Sequence, residues 1–205
     1  SPSRGLGDVY KRQKKNSIEV FATGGIGGVH KNASQSFDIS QDLAALSSLS
    51  MVVVSAGAKS ILDLPKTVEL LETMGVCLVG FKTDEFPSFY SRSSGLKKVT
   101  EVHNVEEVSG VFLNNRSLET LSATLVLNPI PAESEIPIET MNPIIHSAMV
   151  ELKNRGIDGK MVTPFLLNYI YEKTEGRSLD ANISLALNNV RLGAKIAKFL
   201  FERRS

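Results

Sequence analysis

Met51-Val52-Val53-Val54-Ser55-Ala56-Gly57-Ala58-Lys59-Ser60-Ile61-Leu62-Asp63 decides how this chain is read. The opening apolar run has the length and β-branching of a buried strand. It leads into a turn of small residues that carries a single lysine. Alanine and glycine leave room for a substrate beside the amine. An apolar floor lowers a lysine pKa, and only the neutral amine is a nucleophile. Most lysines are solvated surface groups, so residue type alone leaves Lys59 open between surface charge and site amine.

Outward from this stretch, strand-like and helix-like segments alternate. Residues 18–23 form a short β-branched stretch that breaks at Gly24-Gly25-Ile26-Gly27-Gly28. Residues 42–48 fit a short helix. Residues 65–74 read as a helix, with Pro65 in its first turn and Gly75 at its stop. Residues 76–81 follow as a strand, which makes 51–81 a βαβ unit and implies a parallel sheet. Residues 84–98, rich in Ser, Pro and aromatics, read as a long surface loop. A short strand is expected at 99–102. Asn104-Val105-Glu106-Glu107 has the form of a cap opening a helix to about residue 118. A strand at 123–128 ends in Pro129-Ile130-Pro131. Helices are expected over 137–155, from Thr163-Pro164 to about 175, and over 179–202. In the last, Ile183, Leu187, Val190, Ala194 and Ala197 line up as the apolar face. The expectation is one layered α/β domain over 17–205, with a mostly parallel central sheet flanked by helices and a long carboxyl-terminal helix.

Composition narrows the function classes. The 205 residues carry a formal net charge of +1, so no global field draws the chain to nucleic acid or a membrane surface. No apolar run approaches the ~20 residues of a bilayer span. The single cysteine, Cys77, cannot form an internal disulfide. Its apolar setting fits an inert thiol in a reducing, cytoplasmic compartment. At the amino terminus, Asp8-Val9-Tyr10-Lys11-Arg12-Gln13 back-translates to GATGTGTATAAGAGACAG, which resembles a transposase adapter used in sequencing libraries. Residues 1–16 are therefore set apart as read-through or a polar disordered tail. The read-through reading implies a longer gene upstream.

In layered α/β domains, ligands collect at the carboxyl ends of strands. The glycine cluster and Ala56-Gly57-Ala58-Lys59 both fall there. Successive glycines let backbone amides approach an anion, so the cluster reads either as a small phosphate site or as a plain tight turn. It is not a dinucleotide fingerprint, and Ala58 before Lys59 rules out a Walker loop. Asp38 and Asp42 stand four apart in Phe37-Asp38-Ile39-Ser40-Gln41-Asp42-Leu43. If Ser40 starts a helix, Asp42 sits in its first turn with Asp38 just before it. Such oxygens suit a hard divalent cation, or simply complement a helix dipole. His30 ends the glycine turn, which favours it over His103 and His146 as a site residue. Asn182, and Asn188-Asn189, are poor helix formers in a helical stretch; they either point into a site or make tertiary hydrogen bonds.

Taken in order, these motifs resemble the pseudouridine-5'-phosphate glycosidases, the indigoidine synthase A-like family. The series runs Phe21-Ala22-Thr23-Gly24-Gly25-Ile26-Gly27-Gly28-Val29-His30, then Phe37-Asp38-Ile39-Ser40 with Asp42, then Ser55 to Asp63. Asn128-Pro129-Ile130-Pro131, Thr163-Pro164-Phe165-Leu166-Leu167, Asn182-Ile183 and Asn188-Asn189 complete it. The resemblance covers about Ser17 to the carboxyl terminus, roughly the last two-thirds of a member. It implies an α/β enzyme that reversibly splits pseudouridine 5'-phosphate into uracil and ribose 5-phosphate, with a manganese ion, Mn(2+), and a homotrimeric assembly. By motif match, Lys59 would be the nucleophile and Asp38 the metal ligand. Ser40, Gln41 and Asp42 would contact substrate, with Thr23, His30 and Asn182 as further carry-overs.

The bond broken joins two carbons, so protonating an exocyclic oxygen, as ordinary glycosidases do, is not available. Amine addition to the opened sugar is the expected route. The family also implies an amino-terminal segment bearing a general-acid glutamate and a phosphate-contacting lysine. No residue before Ser17 matches either, so the chain by itself is expected to be inactive or nearly so. Two other classes stay open: a Schiff-base sugar-phosphate aldolase, and a non-catalytic assembly module.

Overall fold

The computed structural model describes residues 9–10, 17–97 and 99–203. Most of the stretch 1–16 lies outside them. Val9 and Tyr10 lie inside. Tyr10 is fully buried, with its ring edge-on to Phe21 at 4.9 Å between centroids. Burial pushes the Tyr10 phenol pKa up, and the nearby Asp42 carboxylate adds to the effect.

Among the described residues, five strands form one sheet: β1 (Val20–Ala22), β2 (Val52–Ser55), β3 (Cys77–Phe81), β4 (Thr100–Val102) and β5 (Thr124–Leu127). All are parallel, in the order β1-β2-β5-β3-β4. Every residue of β2 and β5 is buried. They are interior strands covered on both faces, which is why each reads as a continuous apolar run rather than an alternating one. The βαβ reading of 51–81 gave the parallel direction, but β2 and β3 are not neighbours. β5 slots between them, pairing Val53 with Leu125 on one side and Leu125 with Leu78 on the other.

Among the described residues from 17 on, the helices are α1 (Ala33–Ser36), α2 (Gln41–Leu46), α3 (Leu64–Thr73), α4 (Val105–Ser117), α5 (Ile138–Asn154), α6 (Val162–Lys173) and α7 (Arg177–Glu202), with single 3-10 turns at Ala132–Ser134 and Gly159–Met161. Side chains alternate across the sheet with period two. Val52, Val54, Val79 and Val126 face α4 and α7, where Val108, Phe112, Leu192 and Ile196 cover them. Val53, Leu125 and Leu127 face the opposite layer, filled by Leu43, Leu46, Val68, Leu71, Ile145, Leu166 and Ile170. Cys77 is half-buried on β3. Among the described residues, no helix is long and apolar enough to cross a membrane.

Two expectations are corrected. Residues 84–97 form a loop whose ends are exposed but whose middle, 86–91, is buried. Phe86, Phe89 and Tyr90 are buried, and Phe89 packs edge-on against Tyr90 with centroids 4.7 Å apart. The Phe89 N–H donates to the Ala56 carbonyl at 3.1 Å, so this loop is tied beneath the Lys59 turn. The second concerns α7. Ile183, Leu187 and Val190 are about half exposed, and Ala194 and Ala197 are exposed. The buried face is instead Ala181, Leu185, Asn189, Leu192, Gly193, Ile196 and Leu200.

Helix α3 starts directly after the lysine turn. Asp63 caps it, accepting the Lys66 N–H at 3.1 Å and the Lys66 ammonium at 2.8 Å, with Pro65 in the first turn. Burial by itself would raise the Asp63 pKa. The side-chain and backbone hydrogen bonds from Lys66 outweigh it, and the carboxyl sits below its ordinary value. A folded pKa below the unfolded one adds stability at pH above the unfolded carboxylate range. That stability is lost as pH falls through the folded pKa. Replacing Asp63→Ala is expected to cost about 1 kcal/mol at neutral pH. The difference from the parent should shrink steadily below about pH 4. Urea unfolding of both proteins across pH checks this; a pH-independent difference contradicts it.

Candidate active site

The site grows from two turns at the carboxyl ends of β1 and β2. Ile26 donates its N–H to the Gly57 carbonyl at 3.0 Å, and its own carbonyl accepts the Lys59 N–H at 3.1 Å. These bonds prolong the parallel pairing of β1 with β2 past the strands, with Ile26 opposite Ala58. Ala56 and Ala58 are fully buried, while Lys59 is only partly buried. Gly57 has φ +86°, and a side chain there would run into the Pro87 carbonyl. Glycine is therefore required both by conformation and by space.

The glycine cluster is packed closely against its neighbours. The N–H groups of Ile26, Gly27, Val29 and His30 are already taken: by Gly57 O, Asp42 Oδ2 (2.7 Å), Thr67 Oγ1 (3.0 Å) and Asp38 O (3.1 Å). A Cβ on Gly25 would stand 2.6 Å from the Phe89 ring, and one on Gly28 would stand 2.5 Å from Thr67 Oγ1. One on Gly27 would collide with Ser40 Oγ. These contacts account for Gly25, Gly27 and Gly28 as close-approach residues, in line with the tight-turn reading of the cluster.

The Asp38 segment folds back onto this turn. His30 N–H donates to Asp38 O, and Ser40 N–H donates to Gly28 O at 2.9 Å. Ser40 is the N-cap of α2, its hydroxyl accepting the Asp42 N–H at 3.2 Å. That places Asp42 in the first turn, buried, with one carboxylate oxygen clamping Gly27. Its other oxygen, Oδ1, is buried without a partner among the described residues. Asp38 points outward: its side chain is 55% exposed, with Oδ2 3.7 Å from Nδ1 of His30. Gln41, the first residue of α2, is exposed.

Helix α7 closes the arrangement from the opposite layer. Asn182 places its Oδ1 3.3 Å from where a Gly24 Cβ would stand, at the start of the glycine turn. Asn189 is fully buried and uses its whole amide. Its Nδ2 donates to Thr23 O at 2.8 Å and Gly24 O at 3.3 Å, and its Oδ1 accepts Nδ2 of Asn128 at 2.9 Å. Asn188 donates to Pro129 O at 3.2 Å. Thr23, His30, Asp38, Ser40, Asp42, Lys59 and Asn182 thus converge on one end of the sheet. Sequence reasoning marked the paired asparagines but did not place Asn189 at the hub. The signal was a poor helix former about three turns into the helix. It does not reveal which carbonyls the amide meets.

Among the described residues, no three His, Cys, Asp or Glu side chains group to enclose a metal. What Asp38 offers is one exposed carboxylate beside an imidazole. That donor set fits a hydrated hard cation held by a single protein oxygen, the habit of ions that keep most of their waters. It does not fit a closed cage.

Substituting Asn189→Ala removes the partner of the buried Asn128 amide and of the half-buried Thr23 carbonyl, while the Gly24 carbonyl keeps the Ala56 N–H at 3.0 Å. The expected loss is about 3 kcal/mol of stability, read by urea unfolding. Substituting the exposed Asn114→Ala is expected to stay within about 0.5 kcal/mol.

Comparison with known proteins bears on the fold and the family. The family model described as indigoidine synthase A like protein matches residues 12–199. A curated pseudouridine-5'-phosphate glycosidase of Paracoccus denitrificans is 53% identical over 180 residues, which cover 88% of this chain and 59% of that protein. Its counterpart in Staphylococcus aureus is 51% identical with the same coverage. The chain therefore spans about three-fifths of the length of the curated relatives it matches. Among solved structures, an indigoidine synthase A-like protein of Thermotoga maritima superposes with a TM-score of 0.85 at 43% identity, over 93% of this chain and 62% of that one. A prealnumycin C-glycosynthase in complex with ribulose 5-phosphate superposes with a TM-score of 0.87 at 30% identity, over 94% of this chain and 65% of that one. The chain belongs to the indigoidine synthase A-like family.

Proposed function

We propose that this chain carries the nucleophile-bearing part of an enzyme that reversibly cleaves pseudouridine 5'-phosphate to uracil and ribose 5-phosphate. The observation that carries the reading is Lys59, partly exposed at the carboxyl end of β2 and pinned through its backbone to the Ile26 turn, in a chain of this family. The curated relatives bear the name of that activity.

The chemistry follows from the bond. Opening the ribose between C1' and its ring oxygen leaves C1' electrophilic and conjugated with uracil. The Lys59 amine adds at C1'. The C1'–C5 bond then breaks, and uracil leaves with its bonding electrons and takes a proton at C5. Water hydrolyses the remaining ribose imine, which returns the free amine and ribose 5-phosphate. Ring opening takes a proton donor, and general acid–base help is worth ~10²–10⁴-fold. No described residue is assigned that role. The ligand of the prealnumycin C-glycosynthase supports the open-chain step. In ribulose 5-phosphate the C5 oxygen is esterified, so the sugar cannot close a furanose ring.

In this reading Asp38 holds a manganese ion with His30 beside it. Such an ion would help orient the substrate and offset negative charge when bound. Ser40, Gln41, Asp42, Thr23 and Asn182 border the substrate, with Asp42 acting through the Gly27 turn it clamps. Assembly as a homotrimer and a cytoplasmic setting complete the proposal.

Two experiments test it. Combine the chain with the part of the Paracoccus denitrificans relative to which it does not align, add ribose 5-phosphate and borohydride, and record intact mass. A pentose-phosphate adduct should form that Lys59→Ala abolishes along with turnover of pseudouridine 5'-phosphate. Turnover that survives the substitution overturns the assignment. Separately, Asp38→Asn should weaken manganese binding at least tenfold in calorimetry while leaving the thermal unfolding of the metal-free protein unchanged. Equal affinity moves the metal elsewhere.

A further inference from the structure

Helix α7 presents an apolar seam to solvent. Ile183, Leu187, Val190, Ala194, Ala197 and Phe201 recur at spacings of 4, 3, 4, 3 and 4 residues, the a/d rhythm of a coiled-coil face. At the α-helical turn angle, all six lie within about 80° of arc. Ile183, Leu187 and Val190 are 52%, 50% and 53% exposed, and Phe201 is 72% exposed. Isolated exposed apolar residues are ordinary, whereas six in register along a 26-residue helix mark a contact surface. Ala194 and Ala197 lower the seam in the middle and let a partner backbone come close.

The surroundings specify the partner. Along one side of the seam run Arg191, Lys195 and Lys198, all exposed, with the Lys198 ammonium 3.7 Å from the Glu202 carboxylate. Near its end, the seam opens into a crevice of about 200 Å³ between Ala197, Leu200 and Phe201 on α7 and Ser17, Ile18 and Val20 at the start of β1. β1 is an edge strand: among the described residues, Val20–Ala22 pair with β2 alone. A further element of the same layered architecture would therefore lie beside α7, over this edge. The curated relatives carry roughly two-fifths of their length outside the part that aligns with this chain. An antiparallel second copy is disfavoured, because it would set the basic rims of the two helices against each other.

We propose that the α7 seam docks an amphipathic helix supplied by that further part of the family's polypeptide, apolar along one stripe and acidic along the flank that meets Arg191, Lys195 and Lys198. The inference rests on family membership and on the geometry of α7, not on the reaction assigned above.

The test titrates the 205-residue chain with the non-aligning part of the Paracoccus denitrificans relative, purified as a separate polypeptide. Calorimetry should give a one-to-one complex whose affinity falls severalfold when salt is raised from low to high. Hydroxyl-radical footprinting of the unsubstituted chain should show Leu187, Val190 and Phe201 protected only in the complex. Val190→Glu should lower affinity at least tenfold with an unchanged circular-dichroism melting curve, and Lys195→Glu should lower it by a smaller factor. Absence of a complex overturns the proposal. So does a complex in which those three side chains oxidise as in the free chain, or protection that appears from self-association before the second polypeptide is added.

Discussion

The two bonds that Ile26 makes with the β2 turn, one from its N–H and one to its carbonyl, are the constraint on which the site depends. They make the position of Lys59 a property of two strands rather than one. The glycine turn is in turn set by Asp42, whose carboxylate takes the Gly27 N–H, and Asp42 is set by the Ser40 cap of α2. A line of dependence therefore runs from a helix cap, through a buried carboxylate and a glycine, to the lysine. Displacements of an ångström are enough to cost a reacting group much of its rate advantage. A short, bonded route of this kind is a direct way for a loop-borne amine to hold its place.

The polar groups in this region are concentrated where apolar packing would have been easier. Asn189 stands in the buried face of α7, among Leu185, Leu192 and Ile196, and joins the ends of β1 and β5 through Thr23, Gly24 and Asn128. Strand ends leave carbonyls without ladder partners, and a buried carbonyl without a partner is expensive. An asparagine side chain, with donors and an acceptor, satisfies two strand ends at once. Its low helix propensity costs a fraction of a kcal/mol in a helix otherwise secured by tertiary packing, so the exchange is favourable.

Much of the fold was legible because the signals are local. β2 and β5 announce themselves as short apolar runs ended by Gly or Pro. Pro65 marks a helix start, and so does the capping arrangement of Asn104 with Glu107, which the structure repeats with Asn104 accepting the Glu107 N–H at 2.8 Å. What stayed illegible is non-local. That β5 separates β2 from β3 depends on which strand fills a gap once all are made. The loop 84–98 has the Ser, Pro and Gly content of a surface segment, yet Phe86, Phe89 and Tyr90 anchor it beneath the lysine turn. Likewise, a run of glycines looks the same whether it serves an anion or the close approach of Phe89, Ser40 and Thr67.

Helix α7 shows why periodicity picked the wrong face. Its two candidate stripes differ in purity: the exposed one is wholly apolar, while the buried one is interrupted by Asn189 and Gly193. A pattern search rewards purity. The interruptions are what the buried side needs. Gly193 lets α7 approach the sheet so closely that a Cβ there would stand 3.3 Å from that of Ala22. One turn earlier, the same approach brings the Asn189 amide within reach of the Thr23 and Gly24 carbonyls. A larger residue at 193 would lift the helix and pull those bonds apart. The small and polar residues that spoil the stripe are therefore the ones that couple the helix to the site, and the clean stripe faces solvent.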